Sequence, residues 1–505
     1  MKEYLLAYDI GTSGTKASLF STDGHLLQSA TEGYTVYFDK GGVCEQDPED
    51  WWQAVVRATQ RITQGIAPTA VRALSFSGQM MGCLPVDTQG RPLCRSIIWS
   101  DTRAKAQEKE LIERIGRERG YRLLGHRISC SYSLAKLMWI KQHEPDIYAR
   151  TYRILQAKDY IIHKMTGAFV CDYSDASGTN MLDLHRLTWS EEILQAAELD
   201  LDKLPELHAS TDVAGQLHAA AAAQLGLWEG MPVVCGGGDG PCSTLGAGCI
   251  KDGQYFLTFG TSAWIAGTTK EVFLDEEKLL FSFAHVIPGR YMPTGTMQAA
   301  GASYAYLKRT FCEAEAEQAR QQGTEVYELL NQLIASSPVG AKGLLYLPYL
   351  TGERSPRWNP HATGAFLGMT MEHTRADYLR AGIEGVAMNL AVILEAQRKN
   401  AGIQELILTG GGAKGEVVTH ILADVLGCRM IRPNHVEEAT SMAAAVLAGM
   451  GAGIYDSFDV IQSYLRFGEA VEPDWANHAH YRRRLKVFNA AYLALEPIYP
   501  MINEV

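Results

Sequence analysis

An apolar run ending in Asp9-Ile10-Gly11-Thr12-Ser13 returns half a chain later as Thr258-Phe259-Gly260-Thr261-Ser262. Each copy opens a stretch of the same layout. In the first, strand-like runs at 4–10, 16–20, 26–30 and 34–38 are divided by glycine-bearing turns such as Thr22-Asp23-Gly24. A helix then starts at Pro48 behind the capping residue Asp47, with Glu49 and Asp50 in its first turn. Strands at 71–77 and 153–156 alternate with helices at 133–143 and 159–165. In the second stretch, runs at 255–259 and 263–267 precede helices near 302–311, 326–336 and 375–399. A strand at 406–408, a helix at 416–426, a short strand at 430–431 and a helix at 441–448 complete it. A meander followed by α/β alternation, twice, predicts an α/β chain of two similar halves. A length of 505 residues also exceeds what one core serves. The boundary is placed near residue 246, after Gly236-Gly237-Gly238-Asp239-Gly240, giving an N-terminal domain 1–245 and a C-terminal domain 246–505.

The repeated turn has a chemistry. Glycine lets the backbone approach a ligand, and the neighbouring Thr and Ser set hydroxyls beside exposed N–H groups. Two such turns suit two halves gripping one phosphorylated ligand; the competing reading is two ordinary hairpins. A net charge of −11 argues against a nucleic-acid partner, so an anion would have to be held by local N–H groups, a Lys or a metal. Lys16 follows the first turn and joins this set. Asp9 beside the turn makes sense if it holds Mg²⁺, since a bare carboxylate would repel phosphate. The second copy has Thr258 at that position, so only the first half carries the acid. The start ends its apolar run at Asp9 and reads as no signal peptide, and 441–454 is too short to span a bilayer. The ten cysteines lack any Cys-x-x-Cys pair; Cys235, Cys242 and Cys249 are evenly spaced but without His partners. Buried reduced thiols in a cytoplasmic protein with no membrane segment are expected.

Three further segments carry chemistry. Asp239 stands among glycines that let a hydroxyl approach closely, as a general base requires; the plain alternative is the N-cap of the helix that follows. Gly410-Gly411-Gly412-Ala413-Lys414-Gly415 lies between a strand and a helix and mimics a dinucleotide fingerprint. The element order before it is not that of a Rossmann domain, so a strand–helix turn seating a nucleotide fits better. No P-loop occurs. Ser77-Gly78-Gln79-Met80-Met81 ends a strand, and Trp99-Ser100-Asp101-Thr102-Arg103 is read as opening a helix. An indole beside a carboxylate suits a polyol, although Trp99 alone reads as core and Asp101 as a helix cap. Glu353-Arg354 reads as a structural loop pair.

Taken together these residues resemble the FGGY family of carbohydrate kinases, nearly end to end. Asp9-x-Gly11-Thr12-Ser13 is similar to the family's first phosphate motif, Phe259-Gly260-Thr261-Ser262 to its second, and Gly410-Gly411-Gly412 to its adenosine motif. The run from Ser131 to His143 resembles one family signature, and the segment opening Gly364-Ala365-Phe366-Leu367-Gly368 resembles the other. The resemblance implies two actin-like (ribonuclease H-like) domains closing on ATP, Mg²⁺ and a sugar. It assigns the base to Asp239 and a glycine lining the nucleotide site to Gly301. Met80, Met81, Trp99 and Asp101 are expected to line the sugar pocket, and a homodimer is the assembly to test. Glu45 to Trp52, Ser77 to Met80 and Leu347 to Pro356 most resemble the branch acting on D-xylulose. Three departures stand out: Met81 where His is usual, Gly240 where Asn is usual, and Gly415 where some relatives carry Asn. The first two remove partners for sugar hydroxyls and leave another ketose, L-ribulose or gluconate, as alternatives. A non-sugar chaperone or regulator of the same superfamily would need no Asp239.

Overall fold

The computed structural model describes residues 2–277, 279–399, 401–433 and 438–503. Its first sheet is built on β1 (Tyr4–Ile10), β2 (Gly14–Ser21), β3 (Leu26–Gly33), β4 (Val71–Gly78) and β5 (Pro232–Val234), in the spatial order β3-β2-β1-β4-β5. The first three are antiparallel neighbours, whereas β4 runs parallel to β1 and β5 parallel to β4. The second sheet uses β6 (Tyr255–Phe259), β7 (Ala263–Gly267), β8 (Tyr291–Met297), β9 (Glu405–Thr409) and β10 (Arg429–Ile431), in the order β8-β7-β6-β9-β10. Its parallel and antiparallel pairings are the same. The sheets differ where Val213–Gln216 extends the first and Phe281–Ala284 the second, and where the short strand Gly237–Gly238 also pairs parallel with β4. The repeat in the sequence is thus a repeat of topology.

Local sequence explains the placement. Leu5, Leu6, Ala7 and Tyr8 are all fully buried, as a central strand covered on both faces requires. The outer strand β3 is mostly exposed and polar, which suits an edge. Helix α1 (Pro48–Ile62) begins as expected: Asp47 Oδ1 accepts the Glu49 N–H at 2.9 Å, and Trp51, Trp52, Val55, Ala58 and Ile62 turn inward. Helix α2 (Ala157–Thr166) packs behind β4.

Register carries the repeat to single residues. Asp9 lies opposite Ser77, and Thr258 lies opposite Thr409. The loop that follows Gly78 is therefore the counterpart of the triple-glycine turn that follows Thr409.

The Asp239 helix and the last strand–helix unit cross at the centre. Helix α3 (Asp239–Gly246) starts at Asp239 itself, with Gly238 as its cap residue, so the carboxylate is not spent as an N-cap. Helices α4 (Gly301–Phe311), α5 (Arg375–Arg398) and α6 (Glu416–Leu426) surround the second sheet, and Ala439–Gly451 forms α7. Although α7 follows residue 246 in sequence, it packs on the first sheet, where Ala443 to Ala448 meet Leu5, Ala7, Ala73 and Leu245. The crossing is tight: a Cβ on Gly246 would lie 1.8 Å from the Ala439 carbonyl oxygen.

One expectation is corrected outright. Trp99–Arg103 does not open a helix; the nearby helix runs Lys105–Ile115 and its cap position is Ala104. Asp101 is held by tertiary partners instead, which local pattern does not reveal. The cysteines are all free, nine buried and Cys94 half-buried. Among the described residues Cys235, Cys242 and Cys249 form no metal-ligand group, and no helix is long and apolar enough to cross a membrane.

Candidate active site

The first turn is pinned from behind. Its Gly11 N–H donates to the Gly14 carbonyl at 3.0 Å. The Gly11 carbonyl accepts from Gln79 Nε2 at 3.3 Å and from the Tyr34 hydroxyl. The Thr12 carbonyl accepts from Gln46 Nε2 at 2.5 Å, and Gln79 also donates to Gln46 Oε1 at 2.7 Å. With the carbonyls drawn inward, the N–H groups of Thr12 and Ser13 find no protein acceptor among the described residues. A pair of outward N–H groups is an anion-binding concavity. Sequence reading missed Gln46, Gln79 and Tyr34 as supports, although both glutamines stood inside the quoted motifs.

Asp9, at the end of β1, is half-buried, and its Oδ2 accepts from Thr440 Oγ1 on α7 at 2.8 Å. Burial pushes its carboxyl above the ordinary value, and the Thr440 bond opposes that rise. Lys16 Nζ sits 3.2 Å from Glu438 Oε1, just before α7. Asp239 is open to solvent at the head of α3, and its Oδ1 accepts the Gly240 N–H at 2.8 Å. Desolvation by the crowded floor around it, reinforced by the charge of Asp9, pushes its carboxyl up to about 7. The Asp9 carboxylate beside the outward N–H groups of the first turn is a hard oxygen donor of the kind that suits a divalent cation such as Mg²⁺. Nothing in local sequence pointed to Thr440, which lies 431 positions from Asp9.

The second turn is braced by a helix end. Gly260 accepts from the Gly301 N–H at 2.9 Å, and Thr261 accepts from Ala300 and Ala302 at 3.1 and 3.0 Å. A Cβ on Gly301 would come within 2.4 Å of the Gly260 oxygen, so only glycine fits. Thr258 Oγ1 meets Thr409 Oγ1 at 2.7 Å in place of a carboxylate. Beyond Thr409, Gly410 has φ of +91° and lies against the Phe259 backbone, while a Cβ on Gly412 would strike the Phe259 ring at 2.2 Å. Gly411 faces open space. Gly410 and Gly412 thus bring this turn into close contact with Phe259, and Gly411–Lys414 makes a short 3-10 turn. Beside it, a side chain on Gly415 would meet the Asn331 amide at 2.7 Å, so that space is already filled.

On the first-half side of Asp239, Met80 is buried against Gly238, and a Cβ there would sit 2.6 Å from the Met80 sulfur. Met81 has φ of +68°, and its carbonyl accepts from Lys136 Nζ at 2.7 Å. Trp99 is 41% exposed rather than core, and its Nε1 donates to Thr12 Oγ1 at 2.9 Å. Asp101 is fully buried, accepting from Arg103 Nη2 at 2.7 Å and from the Cys44 N–H at 2.6 Å. It orders its neighbours more than it faces the cleft. Glu353 is likewise structural: it accepts from Gln298 and Arg354 N–H groups at 2.8 and 2.9 Å and from Asn389 at 2.8 Å. Burial pushes its carboxyl up to about 8.

Two sheets of one topology, each ending in a braced Gly-Thr-Ser turn, make the two-domain actin-like ATPase fold. Sequence profiles of the FGGY family of carbohydrate kinases match residues 4–246 (its N-terminal domain) and 256–452 (its C-terminal domain). The chain belongs to that family and is an ATP-dependent sugar kinase. It is 33% identical to the xylulose kinase of Staphylococcus epidermidis over 97% of each chain. It is 31% identical to the gluconokinase of Bacillus licheniformis, covering 99% of this chain and 98% of that protein. The solved ligand-bound xylulose kinase of Lactobacillus acidophilus superposes with a TM-score of 0.92 at 26% identity, over 99% of this chain and 100% of that one.

Proposed function

We propose that the chain transfers the γ-phosphoryl group of ATP to a hydroxyl of D-xylulose, giving D-xylulose 5-phosphate. Asp239 accepts the proton of the attacking hydroxyl. The observation that carries this role is an exposed carboxyl at the head of α3, flanked by glycines that let a hydroxyl approach it; its raised pKa is in keeping with a base working at neutral pH. The N–H groups and hydroxyls of Gly11–Ser13 and Gly260–Ser262 hold the phosphates in line, with Lys16 beside the first turn. Gly301 and Gly410–Gly412 shape the nucleotide side. Met80, Met81 and Trp99 border the sugar, and Asp101 supports that wall through Arg103. Asp9 would hold Mg²⁺, which neutralises charge on the β- and γ-phosphates. We divide the chain at residues 1–245 and 246–505, and place the enzyme in the cytoplasm.

An ADP-release assay over ketoses, polyols and sugar acids tests the substrate. D-xylulose is expected to stimulate ADP release above the rate with water alone; if only gluconate or another sugar does so, the assignment moves to that compound. Gluconate is the second reading because Met81 and Gly240 depart from the xylulose pattern. Asp239→Asn is expected to bind ATP normally, measured by calorimetry, while turnover falls by at least about a hundredfold. Parental turnover in that variant would remove the base from Asp239.

A further inference from the structure

The groups that fix Asp239 lie one layer deeper than the site. The approach to it, Gly236-Gly237-Gly238, has no side chain with which to anchor itself, and Gly237 and Gly238 run beside Ser77 and Gly78 at the end of β4. The Gly238 N–H donates to Ser174 Oγ at 3.0 Å. Ser174 Oγ in turn donates to Asp172 Oδ2 at 2.5 Å, and Ser210 Oγ donates to the same oxygen at 2.7 Å. The other oxygen of Asp172 lies 2.9 Å from Lys158 Nζ, which also meets Asp159 at 2.5 Å and Asp175 at 3.4 Å. Lys158 and the three carboxylates are wholly buried.

The same end of α2 reaches the sugar-side loop. Gln156 Oε1 accepts the Gly82 N–H at 2.8 Å, and Gln156 Nε2 donates to Ser133 Oγ at 3.1 Å. Ser133 Oγ closes the ring on the Gly82 carbonyl at 2.6 Å. The Lys158 stem meanwhile packs against Gly78, where an added Cβ would stand 3.0 Å from its own Cβ. One helix start therefore holds both the turn before Asp239 and the loop carrying Met80 and Met81. Burying so much charge is costly, and an apolar core of the same shape would be at least as stable. What the ionic cluster adds is direction, since hydrogen bonds fix where a backbone N–H points. A metal is not the occupant to expect at Asp159, Cys171 and Asp175, because the Lys158 ammonium already pairs with both carboxylates of that set.

We infer that Ser174 and Asp172, seated on Lys158, are positioning residues that set Asp239 against the Met80–Gly82 loop. The inference rests on the reading of Asp239 as the base. The test is Ser174→Ala in the full-length enzyme, with steady-state kinetics, ATP calorimetry and a thermal melt. It is expected to lower kcat by about 10- to 100-fold, the scale of a small misplacement of a reacting group. The KM for sugar and the Kd for ATP are expected to stay within about twofold, with the cooperative melt retained, because a single hydrogen bond is lost. Ser174→Thr, which keeps the hydroxyl, is expected to recover most of kcat, and Asp172→Asn supplies a second route should Ser174→Ala not fold. In an Asp239→Asn background, read by single-turnover transfer of labelled phosphate, Ser174→Ala is expected to cost nothing further. A folded Ser174→Ala enzyme with parental kcat overturns the inference, as does an equal loss in the Asp239→Asn background. Parental turnover by Asp239→Asn alone is the distinct result that removes the base reading and this inference with it.

Discussion

Gly240, next to Asp239, has room that its neighbours lack. An added Cβ would be in ordinary contact with Met292 at 3.4 Å and no closer to Met80 than 4.0 Å. Gly240→Asn is therefore expected to fold and to place an amide beside the sugar. One hydrogen bond of about 0.5–1.5 kcal/mol corresponds to a rise of about 2- to 10-fold in kcat/KM for D-xylulose. An unchanged sugar profile across the panel would show that position 240 does not face the substrate. With Asp239 as the proposed base, its raised carboxyl sets the pH dependence expected of the enzyme. A base must be deprotonated to work, so kcat/KM is expected to climb with pH through about 7 and level off above it. A profile flat from pH 6 to 8 would place the controlling group elsewhere.

At the scale of elements, the braces of the two turns differ in kind, side chains behind the first and a helix end behind the second. Gly301→Ala forces its methyl into the Gly260 oxygen at 2.4 Å, so either the turn or the start of α4 must move. The expected result is a loss of about 1–3 kcal/mol in a chemical melt and a clear rise in the KM for ATP, with the sugar KM little changed. Unaltered ATP kinetics would mean that the second turn does not hold phosphate. Most elements were legible in the sequence, because their periodicity and caps are local: Asp47 and Pro48 start α1, and glycines end β1, β6 and β9. Asp9, Gly11, Gly260 and Asp239 stood out as candidates for the same reason, each being a glycine or an acid at a strand end. Trp99–Arg103 was misread because Asp101 gives its carboxylate to Arg103 and Cys44, partners that helix-start patterns do not encode. Thr440, Ser174 and Lys158 were illegible because their roles exist only once distant elements meet.

At the scale of the whole molecule, Glu353 ties the second half's stability to pH. Its carboxyl stays neutral in the folded chain up to about 8 but ionises in the unfolded chain within the ordinary carboxylate range. Its contribution is complete at acidic pH and drains away as pH rises toward 8, by at most about 1.4 kcal/mol per pH unit. Glu353→Gln is expected to show a smaller fall in unfolding free energy between pH 5.5 and 8 than the parent, measured by urea melts at fixed salt. Equal slopes for the two proteins would mean that Glu353 is ionised when folded.

The bond between Thr440 and Asp9 also bears on how the enzyme is made. The residue that completes the first strand's carboxylate is synthesised 431 positions after it, a wait of about 20–90 s at ordinary rates of translation. Until α7 emerges, the nascent first sheet shows the apolar surface of Leu5, Ala7 and Ala73 that α7 later covers. The Asp9 carboxylate therefore waits for its Thr440 partner over the same interval in which that apolar face lies uncovered. The Asp9 hydrogen bond and the concealment of that face arrive in the same docking event.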